Sequence, residues 1–199
     1  MSPTLTPLSN SLGVEVTGID LSEAVDHRVA AELEKALVNH LVMVVRDQQL
    51  TPPQLMKAVG LLGEIMPQHL KSLRMPDHPE IVVLDSRNTK KGADGKFVPI
   101  GARDWHTDHA HQERPPNYTA LYAVKLPSSG GDTSFANMQA AFESLPSSQQ
   151  DDLLRLNVIT KIDDRYSTAE DQQKNRDARK HPLVRTHPVA GLKAIFFHP

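Results

Sequence analysis

The first stretch of ordered alternation is "LGVEVTGI" (12 to 19), which sets branched apolar residues against small or polar ones with a period of two, and predicts a strand. The period then lengthens. Ser22 and Glu23 can start a helix along which Val25, Val29, Leu33 and Leu37 recur at three-to-four spacing as far as His40. "LVMVVRD" (41 to 47) is a short continuous apolar run, the mark of a buried strand. Pro52 and Pro53 open a second helix carrying Leu55, Val59 and Leu62, with Gly63 as its stop. "EIVVLD" (80 to 85) predicts a further strand. Residues 86 to 103 are rich in Gly and Lys with little apolar pattern, as expected of a mobile loop with a short strand inside.

Further along, "NYTALYAVK" (117 to 125) has strand composition, and "PSSGGDTSFA" (127 to 136) predicts a turn followed by a strand. Gly130 and Gly131 are what a tight hairpin turn between two strands requires. Asn137 caps a short helix "MQAAFESL", and Pro146 and Ser147 with Gln150 form a capping-box start for "QQDDLLRL". "NVITKID" (157 to 163) is strand-like. Residues 164 to 180 hold almost no large apolar residue and predict a solvated helix or flap. "HPLVRTHP" (181 to 188) and "LKAIFFHP" (192 to 199) close the chain as two short strands around a turn at Ala190 and Gly191. Many short strands with few helices predict a mainly β fold, a small sandwich or barrel with helices on its outside, built as one domain over 1–199.

Composition narrows the chemistry. Lys and Arg total 22 against 24 Asp and Glu, a formal net charge of -2, so no long-range field favours nucleic acid or an anionic membrane as partner. With 0 cysteines there is no disulfide framework and no thiolate metal site, so any metal must be held by His, Asp or Glu. The start, "MSPTLTPLSN", lacks a basic, apolar leader, and no segment approaches the roughly 18 to 20 apolar residues that span a bilayer. A cytoplasmic location is the expectation.

Such ligands crowd into "DWHTDHAHQERPP" (104 to 116), beside the single tryptophan. If residues 105 to 109 form a strand, His106 and Asp108 share one face while Trp105, Thr107 and His109 point the other way. One imidazole and one carboxylate on one strand are two of the three ligands of a facial triad that binds Fe(II) and leaves positions open for cosubstrate and oxygen. Two other readings compete: a hydrogen-bonded surface pair, and a zinc hydrolase site in which three or four of His106, Asp108, His109 and His111 activate a water. Trp105 reads as packing, and His111 as a solvated loop residue.

"WHTDHAHQERPP", followed by "LPSSGGDTSFANMQAAFESLP" and by "HPLVRTHPVAGLKAIFFHP", resembles the taurine/dichlorophenoxyacetate dioxygenase (TauD/TfdA-like) family of Fe(II)- and 2-oxoglutarate-dependent enzymes. "GVEVTGIDLSEA" and "VVRDQQLTPPQL" extend the likeness over nearly the whole chain in the family's order. The resemblance implies a double-stranded β-helix (jelly-roll, cupin-like) with flanking helices, incomplete at its C-terminal side. It implies an oxidoreductase in which His106 and Asp108 are metal ligands and Thr133 meets a carboxylate of 2-oxoglutarate, the cosubstrate consumed with O2 and released as succinate and CO2.

The implied substrates are small anionic molecules of sulfonate, sulfate ester or aryloxyalkanoate type. Gln68, His69 and His109 are candidates to meet the anionic group. Ala102 stands where taurine-oxidising members resemble one another in carrying a polar amide, which argues against taurine. The family's distal histidine and cosubstrate arginine fall beyond residue 199, so Arg185 and His187 read as structural and His198 as a poor substitute ligand. A truncated fragment serving as an interaction or homo-oligomerisation module through an open sheet edge is the alternative.

Overall fold

The computed structural model describes residues 2–68, 73–85, 104–161 and 178–197, with single positions at 169 and 173. The expectations for residues 86–103, for most of 164–180, and for His69, Ala102 and His198 lie outside the described residues. Two compact units emerge, one made of Met1–Ile65, Tyr118–Asn157 and Pro182–Phe196, the other of Met66–Asn117, Val158–His181 and Phe197–Pro199.

In the first unit the predicted strand forms as β2 (Val14–Thr17), with Val14 and Val16 turned inward and wholly buried. β1 (Thr4–Pro7) pairs with it antiparallel, and β3 (Met43–Val45) pairs on its other side in parallel. A parallel pair needs a crossover, and α1 (His27–His40) supplies it. The apolar stripe of α1 places Val29 and Leu33 on Val16, with Ile19, Leu21, Val25, Met43 and Val45 closing the cluster. That is the core foreseen from periodicity.

The helix starts later than Ser22, however. The Asp20 carboxylate accepts the Ser22 N–H at 2.8 Å, a side-chain turn that competes with helix initiation, and Asp26 is the cap, accepting the Arg28 N–H at 2.8 Å. β1 was not legible in "TLTP", whose residues are all exposed and owe their conformation to β2. Gln48 then latches the segment after β3 to the one after β2. Its amide nitrogen donates to the Ile19 and Arg46 carbonyls at 3.0 and 2.9 Å, and its oxygen accepts the Leu21 N–H at 2.8 Å. The Tyr122 hydroxyl donates to the Gln48 carbonyl and accepts from Leu50 N–H.

α2 (Pro52–Gly60) starts at the expected prolines, with the Gln54 side chain accepting the Thr51 N–H at 2.8 Å, but ends before Leu62 and Gly63. Asn137 caps α3 (Met138–Glu143) through the N–H groups of Gln139 and Ala140. α4 (Ser147–Leu154) begins after Pro146 without the expected capping box, because the Gln150 amide donates to the Leu145 carbonyl at 2.9 Å. β8 (Val184–Thr186) and β9 (Lys193–Ile195) form the predicted antiparallel pair around Gly191.

Residues 117–136 depart from expectation. No strand forms there, and Leu121, Val124 and Leu126 lie exposed. Gly130 and Gly131 have φ of +70° and +78°, which only glycine adopts freely, but the chain only bends at 128 and 129 and the expected hairpin turn and following strand do not form.

In the second unit β4 (Arg74–Met75) pairs with β5 (His78–Val82), while β6 (Asn157–Thr160) pairs with β7 (Arg179–Pro182), their outermost residues belonging to the first unit. The described residues are thus strand-rich, with four short helices, none long and apolar enough to cross a membrane.

Candidate active site

The His-x-Asp pair sits in the second unit, and the backbone there is not a strand. Residues 105–107 are irregular and 108–111 are in turns, the last of them marked by the Gln112 N–H on the His109 carbonyl at 2.9 Å. His109 adopts a left-handed conformation, φ +52°, which no strand allows. Face alternation therefore does not explain the pairing. The two side chains meet where the irregular run 105–107 enters the turn, with Asp108 Oδ1 3.2 Å from His106 Nε2.

The other ring nitrogen is engaged as well. His106 Nδ1 lies 2.9 Å from the Asp104 carbonyl oxygen, and since a carbonyl only accepts, Nδ1 carries the proton. The neutral ring then presents its Nε2 lone pair toward a carboxylate oxygen. Two lone-pair atoms at this separation are satisfied by a cation between them, either a proton, which gives an ordinary surface ion pair, or a metal. Two ligand atoms at right angles on an octahedral ion, each about 2.1 Å from it, stand about 3.0 Å apart. The observed 3.2 Å matches that spacing, and the imidazole-carboxylate set suits Fe(II). Fixing Nδ1–H on a backbone carbonyl is also how ligating histidines are ordinarily oriented. His106 and Asp108 are 37% and 43% exposed at their side chains, so the pair is open to small molecules. Among the described residues no group of three or more His, Cys, Asp or Glu gathers for a metal, which removes support for the zinc site of three or four of these side chains.

The remaining candidates divide. His109 is half-buried, and burial lowers the pKa of its imidazole while the charge of Asp108 raises it in part. Gln68 is half-buried and its carbonyl accepts from the Arg74 guanidinium. Thr133 is exposed within the first unit, in the segment that forms no strand. Two readings fail. Trp105 is 63% exposed and so is not packing, whereas His111 is only 8% exposed, its Nε2 paired with the Gln112 amide at 3.0 Å, and so is not a solvated loop residue. Arg185 stacks over the Phe196 ring at 4.7 Å, and His187 Nδ1 accepts the Val189 and Ala190 N–H groups, contacts that organise the last hairpin.

Periodicity missed the anchors behind the pair. Thr107 Oγ1 donates to the Phe197 carbonyl at 3.2 Å. The Ala110 carbonyl receives both Thr160 Oγ1, at 2.7 Å, and His181 Nε2, at 3.0 Å. These partners lie 50 to 90 positions away in sequence, where no local pattern reports them.

The family model for taurine catabolism dioxygenases, TauD and TfdA, matches residues 4–199. An alpha-ketoglutarate-dependent sulfate ester dioxygenase of Pseudomonas putida is 30% identical over 203 residues, covering 95% of this chain and 64% of that protein. An alpha-ketoglutarate-dependent 2,4-dichlorophenoxyacetate dioxygenase of Cupriavidus pinatubonensis is 31% identical over 214 residues, covering 98% of this chain and 73% of that protein. The crystal structure of a taurine dioxygenase from Burkholderia xenovorans superposes with a TM-score of 0.77 at 25% identity, over 100% of this chain and 64% of that one. The chain thus spans about two thirds of the length of such relatives. With a turn-built His-x-Asp pair, the family's fold and a match along almost its whole length, this chain belongs to the taurine catabolism dioxygenase TauD, TfdA family.

Proposed function

We propose that the chain acts as an Fe(II)- and 2-oxoglutarate-dependent dioxygenase that hydroxylates a small anionic organic substrate of the sulfonate, sulfate ester or aryloxyalkanoate type, releasing succinate and CO2. The observation that carries this reading is the 3.2 Å approach of His106 Nε2 and Asp108 Oδ1, with Nδ1–H held on the Asp104 carbonyl. Membership of the family, and relatives named for sulfate esters and 2,4-dichlorophenoxyacetate, support the reaction and the substrate class. The jelly-roll architecture and a single domain over 1–199 belong to the same proposal.

In this scheme His106 and Asp108 hold the metal, and iron bound there supplies dioxygen activation at the expense of 2-oxoglutarate. The chain's own part is orientation. The Asp104 carbonyl fixes the imidazole so that one nitrogen faces the ligand position. Thr133 offers its hydroxyl to a cosubstrate carboxylate, and Gln68, His69 and His109 are the candidate contacts for the anionic group of the substrate.

Anaerobic titration with Fe(II) and 2-oxoglutarate tests the reading through the visible charge-transfer band of an iron-bound keto acid. A saturating band that disappears in His106→Ala supports it, and no band in the wild-type chain counts against it. Substrate choice is tested by 2-oxoglutarate consumption with sulfonates, sulfate esters and aryloxy acids, where stimulation by one class is the expected outcome.

A non-catalytic interaction module is favoured by one observation, the exposure of Leu121, Val124 and Leu126 along a stretch of strand composition. Size exclusion tests it, since a monomer at all concentrations speaks against a self-associating module.

A further inference from the structure

Behind the His106 and Asp108 pair, and on the same unit, lies a polar cluster for which the reaction has no direct use. Its centre is the backbone carbonyl of Ala110, a residue 2% exposed. Two side chains from different strands converge on that oxygen: Thr160 of β6, 2% exposed, and His181 of β7, 6% exposed. The oxygen accepts both, so His181 carries its proton on Nε2. One carbonyl taking two buried donors has both lone pairs satisfied, which leaves the peptide no freedom to rotate.

That peptide belongs to the turn at whose entry Asp108 meets His106. His109 stands at φ +52°, a conformation a residue with a Cβ resists and one that persists where the surroundings over-determine it. The over-determination is visible at both ends. The Thr107 hydroxyl is fastened to the Phe197 carbonyl on one side of Asp108, and the Ala110 carbonyl is clamped on the other. The two anchors fix where the chain enters and leaves Asp108, so loss of the clamp frees the backbone torsions at 107 to 109 and with them the direction of the carboxylate.

We propose that Thr160 and His181 are positioning residues that hold the turn 108–111 in its left-handed form and thereby set the spacing between the two metal ligands. This rests on the reading of His106 and Asp108 as ligands. Thr160 and His181 act on the ligands through the Ala110 carbonyl and not by touching metal or substrate, and Thr160 Oγ1 also lies 3.5 Å from the Arg179 carbonyl.

The test is a titration of the full chain with Mn(II), following the paramagnetic resonance signal of the free ion, with a thermal melt of each variant. Thr160→Val removes the hydroxyl at nearly constant shape, and Thr160→Ser restores it. Expected are wild-type binding that is lost in His106→Ala, binding weakened on the order of tenfold in Thr160→Val, and near wild-type affinity in Thr160→Ser. Thr160→Val binding as tightly as wild type overturns the inference and leaves the ligand reading standing. Absent wild-type binding, or binding that His106→Ala does not reduce, overturns the ligand reading and the inference with it. Should Thr160→Val be unfolded at the assay temperature, His181→Phe removes the other donor while keeping a ring. Unchanged Mn(II) affinity in that folded variant overturns the inference equally.

Discussion

At the scale of single residues the site depends on atoms rather than on residue types. His106 matters through two nitrogens with different tasks, one on the Asp104 carbonyl and one facing Asp108. His106→Ala and Asp108→Ala are each expected to weaken Mn(II) binding at least tenfold, on the order seen when a metal site loses a partner, with melting temperatures little changed because both side chains are well exposed. Titration of the free ion beside a thermal melt checks both parts. A different residue, Tyr118, carries a buried hydroxyl with no hydrogen-bond partner among the described residues, and burial together with the charge of Glu34 raises its pKa above the ordinary tyrosine value. The folded state therefore holds that proton more firmly than the unfolded chain does. The resulting contribution to stability is present below a pH of about 10 and is lost as pH rises through the folded value. Tyr118→Phe is expected to gain about 1 kcal/mol at neutral pH, by removing an unsatisfied buried group, and to flatten the alkaline decline. Urea unfolding at pH 7 and above pH 10 reads both effects.

At the scale of elements, local chemistry settled most starts and stops. Asn137 was legible as a cap, and it also ties α3 to the preceding chain by donating to the Ser11 carbonyl at 2.7 Å. Asn137→Ala is expected to cost about 1 to 2 kcal/mol, seen as a lower urea midpoint at unchanged slope. Where the reading of an element was wrong, a competing side chain was the reason. Asp20 captured the Ser22 N–H and delayed α1, and Gln150 reached the Leu145 carbonyl instead of completing a capping box. The strand on which the shared face of His106 and Asp108 was conditional does not form at 105–109, for a different cause. Alternation in so short a run does not distinguish a strand from a turn, and what selects the turn is a set of distant donors and acceptors.

At the scale of the whole molecule, the core formed as periodicity foretold, with Val16, Val29 and Leu33 packed between α1 and the first sheet. Leu33→Ala is expected to cost about 2 to 5 kcal/mol, enough to lower the melting temperature measurably. Residues 117–125 have strand composition without a strand, and Val124 is 86% exposed. Composition selects residues that suit a pleated surface, but a ladder also needs a partner with open N–H and C=O groups. On the interaction-module reading, Val124→Lys with Leu126→Glu lowers any self-association seen in concentration-dependent size exclusion, while Mn(II) affinity stays unchanged.

What the sequence by itself determined is the inventory: the core residues of α1 and β2, the Asn137 cap, the imidazole and carboxylate two positions apart, and family membership. These depend on spacings of a few residues or on motif order, which a linear string records. Only the tertiary structure decided how His106 and Asp108 meet. A left-handed residue and a carbonyl clamped from two strands bring them together, because the free energy that holds a strained turn comes from buried hydrogen bonds to residues about 50 or more positions away.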